Sequence, residues 1–428
     1  MISMIRDATT IARRNVIRIS RVPEVMVMAG GQAREVPFTA QVEQTVTAPL
    51  RFEQTIDEGT FAPKMIRDVA TSPDGKTLVF HAVGQLWTKA LPGGAPKRLT
   101  QDDANFEYQP AFSPDGRKLL YTTWSDEKMG AIRELDLASG QSRALTTQPG
   151  FYYGPRYSRD GARIVYSRQG GSGLTGSLWS GTRGVFVMPA AGGDAVQVAK
   201  NGADPQFSAD GKRVYFLTGG GLEKKLMSVG LAGELPREVF NLKYVDHVAI
   251  SPDGKSVAFT ELFNGYVAPL PATGGSIELN KDTKALPVTA LGTDMGSYLH
   301  WGADSKSVHW MVGDRYHSRA LAAGKADAGV PVGLRIDSDQ PDDSFALVGG
   351  RVVTMRDADN RQEVIEDGVV VVRGERIVAV GRRGEVAIPA GAREVDVTGK
   401  TVMPGIVDAH AHAAHFGQGV VPQQNWAY

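Results

Sequence analysis

The sequence predicts a mainly β protein that consists of a sixfold repeat followed by a separate valine-rich β region. Three observations support this prediction. A short motif containing Asp-Gly recurs along the first three quarters of the 428 residues, an alternating apolar run follows each copy, and 50 glycines favour many tight turns. With 42% hydrophobic residues, the chain can bury a large core and is expected to form two or more domains.

The repeat starts as SPDGK at Ser72, and the later copies differ little from it. They begin at Ser113, Ser158, Ser208 and Ser251, and a degenerate sixth copy, GADSK, begins at Gly302. The aspartates of successive copies are 41 to 51 residues apart, a period typical of propeller blades with four strands each. We assign these aspartates to turn chemistry, because each turn needs an Asx hydrogen bond, and not to a carboxylate site.

The sixth repeat is expected to lack a fourth strand of its own. Its sequence predicts strands at Tyr298–Trp301, Ser307–Val312 and Tyr316–Ala320, with no convincing outer strand before Gly329. The segment Ala33–Ala40 has the pattern of an outer strand and no hairpin partner. We therefore predict that Ala33–Ala40 completes the sixth blade and closes the ring, which would cover an exposed strand edge.

The SPDGK repeats resemble the TolB-like propeller family, and the resemblance covers residues 29–338. It implies a six-bladed β-propeller, and for intact members a periplasmic or secreted location, but little about activity, because propellers serve as enzymes, scaffolds and binding modules. Five histidines of this region show no metal-ligand spacing and are interpreted as structural: His81, His247, His300, His309 and His317.

A second domain is predicted after the Pro- and Asp-rich linker Asp337–Ser344. Residues 339–404 form a valine-rich region in which Asp367-Gly368 and Gly374-Glu375 are expected to separate hairpin strands. The region ends in MPGIVDAHAH at Met403–His412, which resembles the entry to the metal-dependent amidohydrolase superfamily, the relatives of urease and dihydroorotase. The resemblance implies that residues 339–404 are part of a β-sandwich and that residues 405–428 begin a (β/α)₈ barrel.

The same resemblance makes His410 and His412 the predicted metal ligands. Residues two apart on a strand point to the same side, so both imidazoles can reach one ion. The implied cofactor is a divalent metal, with zinc expected, and the implied reaction is hydrolysis of C–N bonds in small cyclic amides or peptides. Asp408 shares the face of the pair, and two readings stay open for it: a carboxylate that orients an imidazole, or a cap of the strand. His415 is expected to be a surface residue.

The chain departs from that superfamily after His412. A (β/α)₈ barrel takes about 250 residues, whereas 16 residues follow His412. We therefore expect a truncated enzyme, with an absent barrel, that binds metal weakly and is inactive as this chain alone, and we assign no catalytic residue. The alternative is a non-enzymatic propeller that binds a protein or peptide partner.

Composition and the N-terminus exclude some partners and leave the compartment open. With 47 basic and 47 acidic residues the formal net charge is +0, which disfavours nucleic acid as a partner. No apolar run is long enough to span a membrane. Residues 1–28 form a basic amphipathic segment without the features of a signal peptide, and the absence of cysteine fits a reducing or an oxidising compartment. The localisation of this chain is therefore left unknown.

Overall fold

The computed structural model describes residues 59–169, 182–293, 295–323, 328–358 and 361–406, without the side chains of residues 357, 358, 361 and 362. Every regular element in these ranges is a β-strand. None of the described residues forms a helix long and apolar enough to cross a membrane. The predicted segments 1–28, Ala33–Ala40 and 407–428 lie outside the described residues.

The repeats form six antiparallel sheets, numbered here in chain order, and the first three contain four strands each. Sheet 1 consists of β2 (Arg67–Thr71), β3 (Thr77–Ala82), β4 (Gln85–Ala90) and β5 (Lys97–Arg98). Sheet 2 consists of β6 (Phe106–Phe112), β7 (Lys118–Trp124), β8 (Ala131–Asp136) and β9 (Ser142–Ala144). Sheet 3 consists of β10 (Phe151–Tyr157), β11 (Arg163–Gln169), β12 (Gly184–Pro189) and β13 (Val196–Ala199).

Sheets 4 to 6 repeat this order, and sheet 4 gains a fifth, parallel strand. Sheet 4 consists of β14 (Ala203–Phe207), β15 (Arg213–Gly220), β16 (Glu223–Gly230), β17 (Arg237–Lys243) and the added β21 (Ile277–Leu279). Sheet 5 consists of β18 (Val245–Ile250), β19 (Ser256–Glu261), β20 (Asn264–Pro269) and β22 (Thr289–Gly292). Sheet 6 consists of β23 (Ser297–Trp301), β24 (Ser307–Val312), β25 (Arg315–Ala320) and β26 (Val330–Pro331). We call the first strand of each sheet its leading strand.

The Asp-Gly motifs form the turns that connect each leading strand to the next strand, as predicted. In sheet 2 the Ser113 hydroxyl donates a 2.6 Å hydrogen bond to Asp115, and the same carboxylate accepts from the Arg117 N–H at 3.1 Å. The equivalent serine and aspartate make the same contact at Asp74, Asp160, Asp210 and Asp253. The assignment of these aspartates to turn chemistry is therefore confirmed.

Neighbouring sheets are held together by six shared hydrophobic clusters. Sheets 1 and 2 share Leu86 and Leu119, and each following pair shares a comparable cluster through sheets 5 and 6. The sixth cluster joins sheet 6 back to sheet 1, where Phe80 packs with Met311 and Tyr316. The five side chains named here are at most 4% exposed, so the repeats bury their apolar faces against one another, as repeats that cannot form a core alone must do. This arrangement is consistent with a TolB-like propeller.

The prediction that the sixth sheet lacks its own fourth strand was wrong. β26 pairs with β25 through Tyr316 and Val330, and a further two-stranded pair, β1 (Thr60–Phe61) with β27 (Ile336–Asp337), joins the two ends of the repeat region. A two-residue strand is too short to show an alternating pattern, which is why sequence reasoning missed it. β26 thus occupies the edge of β25 that was assigned to Ala33–Ala40, and the reason for that assignment no longer holds.

The C-terminal region forms one mixed sheet of five strands. Its elements are β28 (Ser344–Ala358), β29 (Arg361–Arg373), β30 (Arg376–Arg382), β31 (Arg393–Asp396) and β32 (Thr401–Val402). The first three are antiparallel neighbours, whereas β31 and β32 both run parallel to β28. The turn expected at Gly374-Glu375 is present. The break expected at Asp367-Gly368 is not: the register shifts there and β29 continues, so Asp367, with a φ of 50°, marks a bulge within one strand.

Candidate functional site

The predicted metal pair, His410 and His412, lies outside the described residues, together with Asp408 and His415. The described chain leads toward the pair: β32 ends at Val402, and Met403 and Ile406 follow as exposed side chains, 53% and 90% exposed. β32, which pairs in parallel with β28, is therefore the last described strand before the predicted ligands.

The described residues do not themselves supply a metal site. They contain no group of three His, Cys, Asp or Glu side chains that could hold an ion. A surface groove of about 630 Å³ on the C-terminal sheet is charged, but its groups pair with one another, Arg351 with Glu366 at 3.2 Å and Arg383 with Asp367 at 2.9 Å. These exposed pairs contribute little energy and include none of the predicted site residues.

A second constellation, which sequence reasoning missed, lies on the leading strands. In every sheet the register between the leading strand and the next strand shifts by one residue shortly before the turn motif. In five sheets the residue four positions before the motif has a positive φ: Asp68, Gln109, Gly154, Asp204 and Tyr298. Such a bulge turns a side chain out of the ordinary alternation of the strand.

The bulges connect neighbouring leading strands by hydrogen bonds. The Gln109 N–H of sheet 2 donates to the Asp68 carboxylate of sheet 1 at 3.3 Å, and the Gly154 N–H of sheet 3 donates to the Gln109 side-chain oxygen at 2.9 Å. Between sheets 4 and 5, the buried amide of Gln206 bonds the backbone of Val248 and Ile250 at 3.0 and 2.9 Å. Bulge side chains thus satisfy backbone groups that a short strand leaves unpaired.

Six ionisable residues at and beside the bulges form what we call the rim cluster. Its members are Arg67, Asp68, Arg156, Asp204, His247 and His300, one or two from each of five sheets. Burial raises the pKa of the Asp68 carboxyl to about 6, and the negative charge of Asp204 adds to the rise, while the Gln109 N–H and Arg67 oppose it. Asp68 lies in sheet 1 and Asp204 in sheet 4, three repeats later in the chain.

The basic members of the cluster are also desolvated. Burial lowers the pKa of the Arg156 guanidinium, and Asp204 is the charge that opposes this effect. Burial lowers the pKa of His247 as well, and Asp204 again opposes the change. The negative charge of Asp204 thus acts on Arg156, His247 and Asp68 alike.

Three histidines near the rim are neutral, with tautomers fixed by their neighbours. Burial lowers the pKa of His300 to about 3, and its Nδ1–H donates to the Tyr298 carbonyl at 2.8 Å while Nε2 accepts from the Thr71 hydroxyl at 2.8 Å. His247 Nε2 lies 2.8 Å from the Leu299 carbonyl and donates to it. His81, whose pKa burial also lowers to about 3, accepts at Nε2 from the Gly84 N–H at 3.1 Å. The structural reading of these three histidines is confirmed.

Comparisons with known proteins give local sequence similarity to enzymes. The chain is 44% identical over 70 residues to a 5-methylthioadenosine/S-adenosylhomocysteine deaminase of Symbiobacterium thermophilum, covering 16% of this chain and 15% of the relative. It is 40% identical over 77 residues to an imidazolonepropionase of Fusobacterium nucleatum, covering 16% and 18%. The chain thus spans less than a fifth of the length of these curated relatives. No protein-family model matches it.

Solved structures with a similar fold include two TolB proteins. The Acinetobacter baumannii protein is 21% identical with a TM-score of 0.39, covering 48% of this chain and 51% of its own. The Agrobacterium tumefaciens protein is 20% identical with a TM-score of 0.43, covering 54% and 81%. Because both TM-scores are low, the architecture of the repeat region is drawn from its own sheets and hydrophobic clusters alone.

Proposed function

We propose that this chain is part of a metal-dependent amidohydrolase that carries a closed six-bladed propeller before its sandwich and barrel. The observation that carries the proposal is the position of β32, which runs parallel to β28 and ends at Val402, directly before the MPGIVDAHAH segment. The local similarity to a deaminase and to imidazolonepropionases supports the same family. The closed ring is supported by the cluster that joins sheets 6 and 1.

His410 and His412 would hold the divalent ion, for which we propose zinc. When bound, such an ion lowers the pKa of a water molecule toward about 7 and polarises the scissile carbonyl. A catalytic site needs a third protein ligand and an open position. The described residues hold no cluster of three ligands, and we assign no catalytic step to the described side chains.

The test is to read the gene beyond codon 428 and to express its complete open reading frame. We expect the complete protein to retain zinc after dialysis and to hydrolyse a member of a panel of cyclic amides and dipeptides. The His410→Ala and His412→Ala variants should lose both properties, and the matched control His415→Ala should keep them. A stop codon at 429, or zinc retention that survives both substitutions, would refute the proposal.

The alternative function, a propeller that binds a protein or peptide, is favoured by one turn. Leu262 and Phe263 connect β19 to β20, are 56% and 73% exposed, and both have positive φ, where Asn-Gly is the usual choice. A large apolar pair kept in a strained exposed turn is typical of a contact surface. If the complete reading frame encodes no barrel, this alternative replaces the hydrolase.

We also propose a periplasmic or secreted location for the complete protein, on the basis of its TolB-like repeats. Fractionation of cells that express the complete reading frame tests this, and recovery of the protein with the cytoplasmic fraction would contradict it.

A further inference from the structure

The joint between sheets 6 and 1 contains a chain of polar side chains that has no role in the proposed hydrolase. Sheets 1 and 6 are the first and last sheets of the repeat region, so no connecting loop runs directly from one to the other. The Thr71 hydroxyl of sheet 1 lies 2.8 Å from His300 Nε2 and 2.9 Å from the Tyr316 hydroxyl of sheet 6. The Tyr316 hydroxyl in turn lies 2.8 Å from His309 Nδ1.

The other repeats show that a joint between sheets does not need polar residues at these positions. The position directly before the turn motif is Thr71 in sheet 1, and in the other sheets it holds a large apolar or aromatic residue: Phe112, Tyr157, Phe207, Ile250 and Trp301. The seventh residue after the start of the motif is His309 in sheet 6, and in the earlier sheets it is Val79, Leu120, Val165, Tyr215 and Ala258. Departures from a repeat that bury polar groups are commonly retained for a reason.

The hydrogens of this chain point in one direction, from His309 toward Tyr298. His300 Nδ1–H donates to the Tyr298 carbonyl at 2.8 Å, so Nε2 is an acceptor and takes the hydrogen of Thr71. With that hydrogen used, Thr71 accepts from Tyr316, and Tyr316 accepts from His309. His309 therefore carries its proton on Nδ1 while the two sheets are joined.

At its other end the chain is one hydrogen short. The Ser307 hydroxyl lies 3.2 Å from His309 Nε2 and 3.3 Å from the Asp304 carboxylate, and both contacts need the single hydrogen of Ser307. These are the two longest contacts of the chain, as expected for a shared hydrogen. The shortage disappears if the direction reverses. Tyr316 then donates to His309 Nδ1, and His309 Nε2–H donates to Ser307, which leaves the Ser307 hydrogen for Asp304.

We propose that this chain is a two-state latch, in which the direction of hydrogen bonding switches when sheet 1 separates from sheet 6. In the joined state the hydrogens point toward Thr71. In the separated state they point toward Asp304, and each contact from Tyr316 to Asp304 has a hydrogen of its own. Separation thus does not leave these groups of sheet 6 unpaired, which lowers the cost of opening at this joint. The inference rests on the closed ring proposed above and is independent of the metal pair.

The test is NMR spectroscopy of the full chain, labelled with ¹⁵N in its histidines, at pH 8. The two-bond couplings between ring protons and ring nitrogens report which nitrogen of each imidazole carries the proton, and His309→Gln assigns the His309 signals. Thr71→Val removes the hydroxyl, and Thr71→Ser retains it. The matched control Thr77→Val makes the same change on the next strand of sheet 1.

We expect His300 and His309 to be Nδ1–H tautomers in the parent chain, in Thr71→Ser and in Thr77→Val. In Thr71→Val, His309 should change to the Nε2–H tautomer, although Tyr316 lies between the two residues in the chain, whereas His300 should keep Nδ1–H. A contact that only fills space would transmit no such change. If Thr71→Val fails to fold, Tyr316→Phe takes its place, because it removes the oxygen that accepts from His309 and should produce the same change.

Amide hydrogen exchange shows whether the joint opens locally. In Thr71→Val, exchange should rise at least about tenfold in sheets 1 and 6, equal to about 1.4 kcal/mol, and stay unchanged in sheets 3 and 4. An Nε2–H tautomer of His309 in the parent chain, an Nδ1–H tautomer in the folded variant, or an equal rise of exchange in all sheets would overturn the latch. None of these measurements depends on hydrolysis, so a failed latch leaves the proposed hydrolase untouched, and the reverse holds as well.

Discussion

Replacement of Asp68 by Asn should stabilise the repeat region at alkaline pH, because Asp68 is ionised there at an energetic cost. Burial raises the pKa of its carboxyl from 3.8 to about 6, and Asp204 adds to the rise. Since the unfolded chain gives up this proton at lower pH than the folded chain, the stability decreases between about pH 4 and pH 6 and then levels off. Asn retains an oxygen for the Gln109 N–H and tolerates the φ of 45°.

The size of the expected stabilisation follows from the rise in the pKa of Asp68. A difference of about 2 pKa units corresponds to about 3 kcal/mol when the carboxyl is fully ionised. Asp68 is half-buried, so solvent screening reduces this value, and we expect a gain of about 1–3 kcal/mol for Asp68→Asn at pH 8. At pH 4, where the folded-state carboxyl is protonated, the gain should fall below about 1 kcal/mol.

Urea unfolding at pH 8 and pH 4, followed by tryptophan fluorescence, measures this difference. Asp115→Asn is the matched control with the opposite sign, because the Ser113 hydroxyl holds the pKa of the Asp115 carboxyl below its usual value. That variant should lose stability at pH 8. If Asp68→Asn changes the stability by the same amount at both pH values, or is destabilising at pH 8, then the charge of Asp68 is compensated in the folded chain and the reasoning fails.

Three further predictions concern the rim and the metal pair. Burial lowers the pKa of His81 and His300 to about 3, so stability should fall as pH drops below 6.5, by up to about 1.4 kcal/mol per pH unit for each histidine; a urea midpoint that is flat from pH 7 to 5 would contradict this. Thr71→Val removes hydrogen bonds of 2.8 and 2.9 Å to His300 and Tyr316, which join sheet 1 to sheet 6. It should reduce the free energy of unfolding by about 1–3 kcal/mol, whereas Thr77→Val should be nearly neutral. The 428-residue chain should bind zinc weakly and lose most of it on dialysis, since two imidazoles do not complete a site. Stoichiometric zinc that survives dialysis and is lost in His410→Ala would be evidence of a further ligand.

The repeat architecture was predictable because its signals are local. The Asp-Gly turn chemistry and the alternating run after it each lie within about ten residues, and both are properties of the sequence alone. β26 was missed because two residues carry no alternation, and its place is set by its pairing with β25. The turn predicted at Asp367-Gly368 was wrong for a related reason. The same dipeptide suits a hairpin turn and a bulge, and only the pairing of β29 with β28 distinguishes the two.

The rim cluster was not predictable from residue spacing, since its members come from repeats that lie far apart in the sequence. His247 and His300 were correctly interpreted as structural, but their approach to Arg156 and Asp204 depends on the ring. A weaker signal was available in the alignment of the repeats: the position four residues before each turn motif holds Asp68, Gln109, Gly154, Asp204, His247 and Tyr298 in turn. A turn motif kept nearly constant beside a position that holds five different residue types in six copies is the pattern expected when the scaffold is repeated and the site is not.

This pattern also explains why the bulge and the cluster occur together. A leading strand without a bulge would alternate strictly, and the polar side chain before the turn would lie on a sheet face, against a neighbouring sheet. The one-residue shift present in all six sheets interrupts that alternation beside the variable residue. In sheet 6 this residue, Tyr298, still packs against the apolar cluster that joins sheets 6 and 1. Substitution of Phe80 or Leu119 by Ala, both fully buried, should accordingly reduce the free energy of unfolding more than substitution of the half-buried Gln109 does.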